Sequence, residues 1–137
     1  MKVILNKFNF QGSITSILED TVGLINTTYL VSSETEKYIL QRINNSIFNN
    51  PKCLMENICL ATNYLKNIGC KTLDVIKSKE DQLYVIHQGE YWRAFRYIES
   101  QTVRKVGDIR IVSESANELA IFHKNFNNFP IDDLHNT

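Results

Sequence analysis

The first residues that suggest chemistry lie between two β-rich segments, at positions 23–28. Gly23 lets the backbone bend closely, while Asn26, Thr27 and Thr28 offer amide and hydroxyl donors. Such donors suit an anion such as a phosphate. Because neither GxxxxGK[ST] nor GxGxxG occurs here, a plain hairpin turn flanked by strand threonines is the alternative interpretation.

Cysteine and histidine chemistry has little support in the sequence. Cys53, Cys59 and Cys70 form no CxxC pair, and the three histidines lie far apart, so no zinc-site spacing is present. We interpret the cysteines as small buried hydrophobic residues in a reducing, cytoplasmic environment. The sequence therefore predicts no metal ligands.

Composition narrows the choice of partners. The chain of 137 residues carries 15 basic and 15 acidic side chains, and a net charge of zero argues against nucleic-acid binding, which depends on phosphate neutralisation. No apolar run approaches the ~18 residues of a membrane span. The first seven residues turn polar too soon for a signal peptide. We expect a cytoplasmic domain that binds neither membrane nor nucleic acid.

Residues 13–43 contain segments rich in β-branched side chains, which are typical of strands. Three β-rich segments with short turns between them, at 13–18, 27–31 and 37–43, predict an antiparallel meander. Pro51 is typical of a first helical position, and Gly69 of a helix end. The predicted apolar face of this helix consists of Leu54, Ile58, Ala61, Leu65 and Ile68.

The second half predicts further strands and one more helix. Segments 73–76 and 83–86 flank a polar turn and predict a hairpin, and an aromatic strand follows at 91–98. A helix is predicted at 113–126. Strands, helix, strands and helix together indicate an α+β fold with a mostly antiparallel sheet.

Several segments resemble the aminoglycoside phosphotransferase and choline kinase-like superfamily. The resemblance covers essentially the whole chain, and within the superfamily it is closest to the N-acetylhexosamine 1-kinases. The segments that carry it are 23–31, 38–44, 47–48, 54–58, 91–95, 97–99, 129–130 and 134–135.

The resemblance implies a protein-kinase-like small lobe, with a five-stranded antiparallel sheet, one helix across it and a C-terminal linker helix. It divides the chain into a nucleotide-binding lobe at 1–100 and the linker with the first helix of a truncated second lobe at 101–137. ATP is the implied cofactor, with Mg²⁺ in the complete enzyme. The family's His-x-Asp catalytic loop does not occur, so the chain alone is expected to be inactive.

The resemblance also implies roles for individual residues at the phosphates. The turn Gly23–Thr28 would hold them, and a cation on the third strand would lie beside them. Gln41 matches the family's cation by position, but Arg42 carries the charge, so Arg42 is our choice; a sheet-edge role is its alternative. Glu56 would pair with that cation, although helical geometry places Glu56 on the polar face of its helix.

The adenine slot follows from the resemblance to the segment between the two lobes. Tyr97, Ile98 and Glu99 would read adenine through their backbone, and Ile98 and Leu40 would form its apolar walls. The acceptor would be a small sugar, with choline, homoserine or aminoglycoside acceptors left open. A non-catalytic nucleotide- or protein-binding module is the alternative, and the apolar arc of helix 113–126 predicts self-association.

Overall fold

The computed structural model describes residues 1–21, 23–100, 103 and 105–137. These residues form two compact units. The first unit comprises Met1–Ile98 and His135–Thr137, and the second comprises Glu99–Leu134. The expected division at residue 100, into a nucleotide-binding lobe and the start of a second lobe, stays a prediction.

The first unit contains, within the described ranges, one antiparallel sheet of six strands. Its order is β1-β2-β3-β6-β4, and β5 also pairs with β6. The α+β class and the meander of β1, β2 and β3 are confirmed, whereas the five-strand count is corrected to six. The strands are β1 Ile14–Asp20, β2 Thr27–Ser33, β3 Lys37–Arg42, β4 Val75–Ile76, β5 Val85–His87 and β6 Glu90–Arg96.

The predicted hairpin between residues 73–76 and 83–86 is wrong. Val75 of β4 pairs with Phe95 and Val85 of β5 pairs with Trp92, so both short strands lie along β6. The polar turn between them does close, because the Ser78 amide donates to the Gln82 carbonyl at 2.8 Å. Seven residues of β6 provide enough backbone for two short partners, which a local pattern cannot reveal.

The helices of the described chain are α1 Lys2–Leu5, α2 Pro51–Asn67 and α3 Ile109–Asn125. The Asn50 side chain caps α2 by accepting from the Cys53 amide at 3.2 Å, and Pro51 takes the first helical position as predicted. The buried residues of α2 are Pro51, Met55, Thr62 and Leu65. Its buried face is therefore rotated from the predicted one. None of the helices in the described residues is long and apolar enough to cross a membrane.

The two faces of the sheet differ. The first, which we call the covered face, carries Tyr38 and Leu40 of β3, and the N-terminal segment packs against it to form the main core. The second, which we call the α2 face, carries Arg93, whose guanidinium contacts Met55 of α2. The core residues of the covered face are Ile4, Leu5, Phe8, Val31, Tyr38, Leu40, Ile76, Val85, Trp92 and Ala94.

Candidate functional site

Strand pairing aligns the side chains of the α2 face in two rows across four strands. Because alternate residues of a strand share a face, the rows lie two residues, or about 7 Å, apart along each strand. The apolar row consists of Leu18, Leu30, Ile39 and Phe95. The polar row consists of Asp20, Thr28, Gln41 and Arg93.

Three members of the polar row form a hydrogen-bonded chain. The Gln41 amide donates to Thr28 Oγ1 at 3.0 Å. Arg93 Nε donates to Gln41 Oε1, also at 3.0 Å. Gln41 is thus held in one orientation by partners on both neighbouring strands, and its carbonyl oxygen is turned towards the guanidinium.

Arg93 is a buried cation, with only 9% of its surface exposed. Among the described residues, it contacts Gln41 Oε1, Met55 Sδ at 3.9 Å and the Phe95 ring at 5.2 Å, and none of these is negatively charged. Burial lowers the pKa of Arg93 to about 10, so the guanidinium remains charged at neutral pH. A buried charge without a counterion is costly, which makes this position suited to an anionic ligand.

The apolar row offers a different kind of surface. Leu18 is 62% exposed, and Leu30 and Ile39 are half-buried, whereas Phe95 is buried. A row of aliphatic side chains that remains accessible across three adjacent strands can cover one side of a planar ring. The α2 face therefore presents an apolar surface about 7 Å from a polar row that ends in a cation.

The turn predicted to hold an anion connects β1 and β2 and adjoins the polar row. Two of the side chains expected to bind the anion form hydrogen bonds within the protein. Asn26 Oδ1 accepts from the Asn44 backbone amide, and Thr28 Oγ1 accepts from the Gln41 side chain. Gly23 does not lie in the left-handed region, and an added Cβ would meet Asn26 O at 3.4 Å and Thr28 Oγ1 at 3.6 Å. These are ordinary contacts, so backbone geometry does not require glycine here.

Arg42 lies on the opposite face from Gln41, at the end of β3. Its guanidinium donates to Thr27 Oγ1 at 3.1 Å and lies 3.8 Å from a carboxylate oxygen of Glu90. Thr27, Arg42 and Glu90 line a polar pocket of about 270 Å³ next to the turn. Arg42 therefore already has an acidic neighbour, whereas Arg93 has none among the described residues.

The structure separates the other expected site residues. Leu40 is fully buried in the core of the covered face, so it presents no surface to a ligand, and Ile39 takes the accessible position. Glu56 contacts Lys52 and His135, and its neighbour Met55 faces Arg93. The expected ion pair between Glu56 and the strand is therefore not formed.

The segment expected to read adenine follows β6 and crosses from one unit to the other. Tyr97 and Ile98 end the first unit, and Glu99 begins the second. The Tyr97 amide donates to the Lys37 carbonyl at 2.9 Å, while Ile98 is 53% exposed.

Sequence reasoning missed Arg93 as a site residue, together with Leu18, Leu30 and Ile39. One signal was available for Arg93: it occupies an interior strand position between Trp92 and Phe95, and arginine is rarely buried unless it has a partner. No local signal aligns Arg93 with Gln41, which lies 52 residues earlier in the chain.

Comparison with known proteins bears on the fold. No protein-family model matches the chain. An aminoglycoside phosphotransferase from Alicyclobacillus acidocaldarius is similar in structure, with a TM-score of 0.71 and 16% identity over 99% of this chain and 38% of its own. A spectinomycin phosphotransferase, solved with ADP and spectinomycin, gives a TM-score of 0.59 and 14% identity over 90% of this chain and 36% of its own.

This chain therefore spans less than two-fifths of the length of both solved proteins. At these identities the likeness concerns the fold. The chain has the α+β, kinase-like fold that these two phosphotransferases contain within their longer chains.

Proposed function

We propose that this chain is the ATP-binding part of an ATP-dependent phosphotransferase, and that ATP binds on the α2 face. In this proposal the adenine ring lies along the apolar row, and the phosphates extend to the polar row and the Gly23–Thr28 turn. The observation that carries the proposal is the alignment of Arg93 with Gln41 and Thr28, two residues along the strands from an accessible apolar row. Arg93 is buried and contacts no acidic side chain among the described residues.

Arg93 is better suited than Arg42 to bind the phosphates. An anion that approaches Arg42 must compete with the Glu90 carboxylate, which lies 3.8 Å from the guanidinium. An anion that reaches Arg93 instead compensates a charge that is desolvated, and a charged contact is stronger where water is excluded. Gln41, at the position of the family's usual cation, would then orient Arg93 through its carbonyl oxygen.

The complete enzyme would transfer phosphate to a small sugar, as its resemblance to N-acetylhexosamine 1-kinases implies. Mg²⁺ would act with ATP through ligands outside this chain. The backbone of Tyr97, Ile98 and Glu99 remains our proposal for the contacts to the adenine edge. Choline, homoserine and aminoglycoside acceptors are the alternatives, and they share the same nucleotide site.

The proposal is tested by titrating ATP and adenosine into the isotope-labelled 137-residue chain and following amide shifts by NMR. We expect ATP to shift residues of both rows and of the Gly23–Thr28 turn. Arg93→Met keeps a long apolar stem without the charge, and should weaken ATP binding about tenfold while leaving adenosine binding almost unchanged. Arg42→Met is the matched control and should change ATP binding about twofold or less.

Two outcomes would contradict the proposal. The first is that ATP shifts amides of α2, or of the N-terminal segment that packs on the covered face, but none in the two rows or the Gly23–Thr28 turn. The second is that Arg42→Met weakens ATP binding more than Arg93→Met does, which would move the phosphates to the Arg42 pocket.

A non-catalytic binding module is the alternative, and a turnover assay addresses it. Because no His-x-Asp sequence occurs in the chain, we expect no sugar phosphate from ATP, Mg²⁺ and N-acetylglucosamine above a heat-treated control. Turnover by this chain alone would refute the view that the chemistry lies outside it. The same assay with a longer gene product distinguishes a kinase from a binding module.

A further inference from the structure

Three side chains with different metal-binding atoms meet at the start of α2. Cys53 and Glu56 are three residues apart on the helix, so they lie on the same side of it. His135 joins them from the end of the chain, and its Nε2 lies 2.9 Å from a carboxylate oxygen of Glu56. The thiol, carboxylate and imidazole atoms all lie within 4.8 Å of one another.

The backbone of His135 is held in place by a neighbouring side chain. The Asn57 amide nitrogen donates to the His135 carbonyl at 2.8 Å, and the His135 amide donates to Asn57 Oδ1 at 2.8 Å. This pair of hydrogen bonds fixes the tail against α2. The imidazole therefore meets the helix through a defined backbone geometry and not through a single surface ion pair.

The donor set indicates which ion would fit. Thiolate, imidazole and carboxylate together suit Zn²⁺, whose bonds of about 2.0–2.3 Å bring ligand atoms to about 3.5 Å from each other. The present separations are within 4.8 Å, so binding requires the ligand atoms to approach one another by about 1.3 Å or less. Cys53 and Glu56 are partly exposed and His135 is exposed, which leaves a path for the ion and room for water as a fourth ligand.

We propose that Cys53, Glu56 and His135 form a zinc site that fastens the segment around His135 to α2. On binding, the Cys53 thiol loses its proton to solvent and its sulfur bonds to the metal, while His135 exchanges its contact with Glu56 for the ion. The site is independent of the proposed nucleotide site, whose residues it does not share.

Cobalt(II) is the probe, because a bound thiolate gives an absorption band that carboxylate and imidazole ligands do not. The reduced 137-residue chain should bind one Co²⁺ with a thiolate charge-transfer band, and one equivalent of Zn²⁺ should displace it. Cys53→Ser should abolish the band. Cys59→Ser, on the same helix but outside the cluster, is the matched control and should retain it.

Two further variants test the other ligands and their support. Glu56→Gln and His135→Ala should each weaken Co²⁺ binding by about tenfold or more, with the helix content unchanged. Asn57→Ala should weaken binding by about tenfold but retain the thiolate band, because it removes the support of the tail and not a ligand.

The proposal fails if the folded wild-type chain gives no thiolate band. It also fails if Cys59→Ser removes the band as completely as Cys53→Ser, or if His135→Ala binds Co²⁺ as tightly as the wild type. Loss of nucleotide binding would not affect these results, since the spectra do not depend on ATP.

Discussion

On the covered face of the sheet, Tyr38 and Leu40 of β3 are fully buried beneath the N-terminal segment. On the α2 face, Arg93 of the neighbouring strand β6 is buried instead. The two faces share the same strands and the same register. Burial on the covered face removes apolar surface from water and stabilises the fold. Burial on the α2 face desolvates a cation, which costs stability.

The difference indicates that the two faces serve different purposes. A core of aliphatic and aromatic side chains accounts for the covered face. Stability alone gives no reason for a hydrogen-bonded chain of Thr28, Gln41 and Arg93, because an apolar set of the same volume would cost less. The anionic ligand that we propose would compensate the charge and would provide that reason.

The largest expected effect is on the covered face. Leu40→Ala leaves a cavity in a fully buried position and should lower the free energy of unfolding by about 2–5 kcal/mol. Ile39→Ala, the adjacent residue on the α2 face, is only half-buried and should cost roughly 1 kcal/mol. Urea denaturation of both variants measures the contrast. Equal losses would mean that the two faces are packed alike.

The next prediction concerns stability on the α2 face. Arg93→Met removes a buried charge that has no acidic partner among the described residues, and should leave the free energy of unfolding unchanged or raise it by roughly 1 kcal/mol. Arg42→Met, on an exposed arginine, should change it by about 0.5 kcal/mol or less. Urea denaturation without nucleotide is the measurement. A loss of several kcal/mol for Arg93→Met would identify the residue as a structural one.

A smaller, pH-dependent effect is expected at the rim of the covered face. Hydrogen bonds from Tyr38 and, to a smaller extent, from Arg96 lower the pKa of Glu36 below its ordinary value of 4.5. Hydrogen bonds from Lys66 and, to a smaller extent, from Arg96 lower the pKa of Asp74 below its ordinary value of 3.8. A lowered folded-state pKa stabilises the fold above the unfolded value, and this contribution is lost as the pH falls. Thermal stability should therefore decline from about pH 5 towards pH 3.

Arg96→Gln tests which groups cause that decline. It removes a partner of both carboxylates, so its melting temperature should lie below that of the wild type near pH 6 and converge with it near pH 3. Lys77→Gln removes a surface cation that contacts Asp81 and should preserve the wild-type profile. If Arg96→Gln leaves the pH profile unchanged, Glu36 and Asp74 do not cause the decline in thermal stability.

The smallest expected effect is in the second unit, where α3 has apolar residues but no buried ones. Leu119 and Phe122 are 56% and 50% exposed. We expect the 137-residue chain to self-associate weakly through this surface at high micromolar concentration, because covering it removes apolar area from water. Light scattering over a concentration series should show the mass rising towards that of a dimer.

Phe122→Glu should abolish the rise in mass. Asn117→Glu places the same charge about 140° around the helix axis, on its polar side, and should leave the rise unchanged. A strict monomer for the wild-type chain would contradict the predicted self-association.

The sequence alone determined the features that depend on neighbours along the chain. Three β-rich segments with short turns between them predicted the meander, because such turns join neighbouring antiparallel strands. Asn50 and Pro51 are typical of a helix start, and α2 begins there. The α+β class follows from the order of such segments, and the resemblance to phosphotransferases pointed to a fold that the structure neighbours share.

Tertiary structure decided which of those residues meet. Arg93 aligns with Gln41 because β6 pairs with β3, and strand pairing over 52 residues leaves no local trace in the sequence. The same pairing places Leu40 in the core and Ile39 on the accessible face. His135 reaches Glu56 through hydrogen bonds to Asn57 that span 78 residues. Short-range patterns set the elements, whereas register and long-range contacts, which depend on the packing of the whole unit, set both candidate sites.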